Sequence, residues 1–102
     1  EAALEPLEKS LAILDGIPRS APSRLLQGMA YLALGDSTLA LRSFDEAIRL
    51  NPDDGVTCYN RAIVHTRLGM DREAQTDADR ADGQGFDPSL LEVAMNAARA
   101  EP

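Results

Sequence analysis

Apolar residues recur along this chain at steps of three and four, the spacing that gathers them on one face of a helix. The stretch "ALRSFDEAIRLNP", residues 40–52, sets Ala40, Phe44 and Ala47 in that way and then stops at Asn51-Pro52. Pro52 supplies no amide hydrogen and disfavours helical geometry in Asn51, so the helix ends there. The same pattern predicts a helix capped by Ser23 and ending at Gly35, where glycine takes a left-handed conformation most easily. Asp36 or Ser37 caps the helix that runs to Asn51, and Asp53 or Asp54 precedes "GVTCYNRAIVHTRLG". Met70-Asp71 opens "DREAQTDADRAD", whose inward stripe is only Ala74, Ala78 and Ala81. Asp87-Pro88 starts a last helix striped by Leu91, Met95 and Ala98. Near the beginning, "ALEPLEKSLAIL" reads as one further helix, with Pro6 in its first turn.

These segments recur. The shift that lays Gly28 on Ala62 also lays Leu34-Gly35 on Leu68-Gly69, Ala40 on Ala74 and Ala47 on Ala81. Pro18 and Pro52 stand the same distance apart, whereas Pro88 comes later than that period requires, which predicts a two-residue insertion around Gly83-Gln84-Gly85. Small side chains at the recurring places let two helices approach within about 8–10 Å, and larger ones would hold them apart.

Helix, short turn, helix, with these residues at these places, resembles the tetratricopeptide repeat. With Ala21 as the first position, Gly28, Tyr31, Ala40, Phe44, Ala47 and Pro52 match that pattern. The next unit matches at Ala62, Leu68, Gly69, Ala74 and Ala81, with His65 in the place of Tyr31 and Ala78 in that of Phe44. The resemblance implies an all-α superhelix of antiparallel helix pairs, a single domain over residues 1–102. Residues 1–15 are then an orphan second helix with Ala3, Leu7 and Ser10 at small–large–small positions. Residues 21–54 form one repeat, 55–88 a second with an altered end, and 89–100 a capping helix whose Leu91 and Met95 cover the alanine stripe.

The resemblance also implies a concave surface, lined by the first helix of each pair, that holds a peptide or helix of a partner protein. Some members clamp a C-terminal carboxylate with lysines and asparagines. Here "CYNRA" offers Asn60 at one such place, but Leu25, Met29, Leu90 and Ala94 stand where the other clamp residues belong. The expected site is therefore an apolar groove of Leu25, Met29, Tyr59 and Ile63, with Asn60 and Arg67 beside them.

Charge narrows the partners. Of 102 residues, 17 are acidic and 10 are Lys or Arg, a net charge of −7, which disfavours nucleic acid and anionic membrane surfaces. No apolar run reaches the roughly 20 residues of a membrane helix. One cysteine, Cys58, cannot make an internal disulfide, and one histidine with one cysteine makes no catalytic or metal cluster. No cofactor is implied. His65 and Cys58 read as packing residues, and Asp71, Glu73, Asp77, Asp79 and Asp82 as a solvated outer face. Two other roles compete with partner binding: homodimerisation through Leu4, Leu7 and Leu11 of the orphan helix, and service as a regulatory segment of a larger enzyme. The opening Glu1 in place of Met points to a fragment.

Overall fold

The computed structural model describes residues 20–100, and within them it holds helices and no strand. The helices are α1 (Ala21–Ala33), α2 (Ser37–Leu50), α3 (Gly55–Arg67), α4 (Asp71–Gly83) and α5 (Pro88–Ala100). The orphan helix expected over residues 1–15, with its dimerisation stripe, lies outside the described residues.

Local chemistry sets the ends of these helices. Asp36 accepts a hydrogen bond from the Leu39 amide, and Asp54 accepts one from that of Val56. Asp87 does the same for Ser89 ahead of α5. The first cap differs from expectation. Ser20, not Ser23, caps α1, its hydroxyl oxygen accepting from the Ser23 amide at 3.2 Å. Pro22 explains the shift, because a proline fits the first turn of a helix, one residue or two after the cap. Between paired helices, Gly35 and Gly69 take positive φ angles of 82° and 76°. The amides that follow them, of Asp36 and Met70, donate back to the carbonyls of Tyr31 and His65.

Packing follows the small residues. Ala40, Ala47, Ala62, Ala74 and Ala81 are fully buried. Gly28 faces Phe44 so closely that an added Cβ would stand 2.5 Å from a ring carbon. Phe44, Ala40 and Val64 form one core, flanked by Leu25, Tyr31, Leu32 and Leu41. A second core joins Ile48, Cys58, Ala62, Ala74 and Ala81 to Leu91 and Met95 of α5. The alanine-faced α4 thus meets its bulk from the next helix along.

Two expectations are corrected. The chain carries no insertion after α4: the linkers, residues 51–54 and 84–87, are equal in length. The buried places Thr57 and Val64 in α3 recur as Leu91 and Ala98 in α5, each one full repeat period on. The prolines misled because Pro52 sits in a linker and Pro88 is the first residue of a helix, and proline is tolerated in both settings.

Asp77 is the second correction. It is 1% exposed, not part of a solvated face. Arg61 of α3 holds it with two hydrogen bonds, Nε to Oδ2 at 2.9 Å and Nη2 to Oδ1 at 2.7 Å. His65 Nδ1 lies 2.8 Å from the same Oδ2, and the remaining Arg61 nitrogen reaches Asp45 of α2 at 2.9 Å. A buried carboxylate needs such partners, since an unpaired one would cost several kcal/mol (about 3–5 when one member of a buried pair is removed). Asp71, Glu73, Asp79 and Asp82 are exposed as expected.

Candidate functional site

Two layers of helices define the faces of the molecule. The first helices touch in sequence, α1 with α3 and α3 with α5, whereas α2 and α4 do not touch. Layers that converge lie inside a curve and layers that diverge lie outside it. This is the contact pattern expected of an array whose concave face is lined by α1, α3 and α5.

The residues expected in the groove all lie on α1 and α3, but they differ in accessibility. Met29 is 43% exposed, and Leu25 is half-buried against the Ala40–Phe44–Val64 core. Tyr59 and Ile63 are half-buried against the second core. The Tyr59 ring stacks at a tilt on Phe86, 5.5 Å between centroids. Phe86 and Gln84 close over the start of α3, where Gly55 leaves no room for a side chain. Asn60 donates to the Val56 carbonyl of its own helix at 2.9 Å. Arg67 donates to the Leu32 carbonyl at 3.3 Å, tying the end of α3 to that of α1.

Further apolar residues are exposed on the same three helices. Leu26 is 59% exposed, Val56 42%, Leu90 64% and Val93 68%. Leu90 and Val93 follow Val56 and Tyr59 by one repeat period, and Ala97 follows Ile63 by the same step. Apolar residues thus stand on α5 at the repeat positions of Val56, Tyr59 and Ile63. The period was the available signal, and the supposed insertion hid it.

Residues 23–54 match the family model of the tetratricopeptide repeat. The five helices fit a tetratricopeptide-like arrangement, and the fold is all-α of that type. No curated protein and no solved structure matches the chain. Tetratricopeptide repeats are in general modules of protein–protein interaction, and the family is in general non-catalytic.

Elsewhere the chemistry is structural. A cleft of about 760 Å³ between α1 and α2 is polar, and in its wall Arg24 and Ser43 both donate to Gln27 Oε1. Burial pushes the Cys58 thiol up in pKa, with the Asp77 charge adding to the effect, so little reactive thiolate forms at neutral pH. Among the described residues, no helix is long and apolar enough to cross a membrane. No group of three or more His, Cys, Asp or Glu there is placed to hold a metal ion.

Proposed function

We propose that this chain is a non-catalytic binding module that takes a peptide or helical segment of a partner protein on its apolar concave face. The observation that carries this is the exposure of Met29 and Val56 on the converging layer of helices. Exposed apolar side chains scattered singly mean little, but a contiguous set on a concave surface marks an interaction site. Leu25, Tyr59 and Ile63 form its half-buried floor, with Asn60 and Arg67 at its edges. A carboxylate clamp has no support, because Leu25, Met29, Leu90 and Ala94 stand at four of its five places.

The test uses the partner recovered with the intact protein. Met29→Glu with Val56→Glu should weaken its binding at least tenfold, since apolar anchors dominate such interfaces. Far-UV circular dichroism should remain unchanged, because both side chains are exposed. Unchanged affinity in the folded variant would refute the groove.

A further inference from the structure

We infer that the occupant of the groove is an amphipathic α-helix with a basic flank, lying across all three of α1, α3 and α5. This rests on the concave-groove reading and adds to it the form, the charge and the extent of the ligand.

The form follows from hydrogen-bond accounting. An extended peptide pressed onto a protein surface buries backbone amides and carbonyls, and each needs a partner there. This surface has few to offer. Asn60 spends one amide hydrogen on the Val56 carbonyl and Arg67 donates to the Leu32 carbonyl, while Thr66 is buried and turned to the Ala62 carbonyl. Of the other groove residues, Leu25, Met29 and Ile63 are apolar and Tyr59 adds one hydroxyl, fewer partners than an extended backbone needs. A helix brings its backbone already satisfied and needs only apolar contact, which this floor supplies.

The extent follows from the repeat period. Leu90, Val93 and Ala97 carry the groove onto α5, and Leu90 and Val93 are its most exposed members. Three helices spaced by about 8–10 Å span roughly 20 Å, the length of about 13 helical residues.

The charge follows from the rim. The linkers at the N-termini of α3 and α5 carry Asp53, Asp54 and Asp87 and no Lys or Arg, and they border Val56 and Leu90. The whole chain has a net charge of −7. Arg67, hydrogen-bonded to the Leu32 carbonyl, keeps its charge at the opposite end of α3, just as Asp54 and Asp87 keep theirs while capping α3 and α5. The acidic edge is therefore the linker side alone. A helix with Lys or Arg along the flank facing the acidic linkers complements this surface.

The probe is a fluorescein-labelled, lactam-bridged helical peptide of Leu and Lys, about 13 residues long, titrated by anisotropy against the full chain. Two comparison peptides replace Lys by Glu or place a proline at the centre. The Leu/Lys helix should bind at least about tenfold more tightly than either. Leu90→Glu with Val93→Glu should weaken it about tenfold or more. Simple attraction between a basic peptide and an acidic protein predicts the opposite sign, because two added glutamates would tighten it. Both side chains are exposed, so the variant should fold, which circular dichroism checks.

Equal binding of the proline peptide, equal binding of the Glu peptide, or no binding of the Leu/Lys helix would each overturn the inference. So would binding lost in Met29→Glu but untouched at Leu90 and Val93. None of these four results touches the broader groove reading, which fails only if its own partner-binding test fails.

Discussion

Arg61 and Asp77 face each other across the α3–α4 contact through two parallel hydrogen bonds, with Asp77 withdrawn from solvent. The equivalent places one repeat earlier, Gln27 and Ser43, hold a neutral hydrogen bond at 3.3 Å. Each pair joins the two helices of one repeat. In the second repeat Arg61 also reaches Asp45 of the preceding pair, so one guanidinium fastens α2, α3 and α4.

Asp77→Ala should therefore destabilise the fold by about 3–5 kcal/mol, because it leaves Arg61 and His65 without their buried carboxylate. Asp79→Ala, two residues on and exposed, should change stability by less than about 0.5 kcal/mol. Urea denaturation of the two variants checks the contrast, and equal midpoints would contradict the geometry of this pair.

Gly28 and Gly83 should respond with opposite signs. Gly28→Ala drives a methyl group into the fully buried Phe44 ring and should cost about 1–3 kcal/mol despite alanine's better helix propensity. Gly83 ends α4 with an ordinary φ and nothing within 4 Å of an added Cβ. Gly83→Ala should be neutral or stabilising, by up to about 1 kcal/mol. Thermal melts of both variants give the signs directly.

Leu91 is 2% exposed in the core that covers Ala74 and Ala81. Leu91→Ala should cost about 2–5 kcal/mol, while Val93→Ala, on the same helix but exposed, should cost little. If both substitutions shift the denaturation midpoint alike, α5 does not pack as described.

Cys58 should resist modification. Its thiol is buried and raised in pKa, so reaction with a disulfide reagent at pH 7 should be slow and should accelerate only with unfolding. Rapid labelling of the native protein would show that α3 is more open than its burial implies.

The helices and their pairing were legible in the sequence because each rests on a residue with few substitutes. Gly28 and the buried alanines mark close approach, and Gly35, Gly69 and Pro52 mark ends. Asp77 was not legible. It sits in a polar helix among exposed acids, and its partner Arg61 lies on another helix, so nothing local separates it from Asp79. The signal that could have found it was the register to Ser43, a small polar residue in a buried place. Of the proposed groove, half was legible. Met29 and Tyr59 followed from the repeat, whereas Leu90 and Val93 were lost when two prolines in different structural roles were treated as equivalent. How deeply Tyr59 is packed depends on Phe86, a contact between a helix and a later turn that spacing alone does not reveal.

The proposed seat of the partner protein is the concave face. A photo-crosslinking residue placed at Val56, on the converging layer, reports on that face. One at Thr76, an exposed residue of α4, reports on the outer face. Irradiated with the bound partner, the Val56 position should give a covalent adduct and the Thr76 position should give none. An adduct at Thr76, with none at Val56, would place the partner on the convex side and rule out the concave seat.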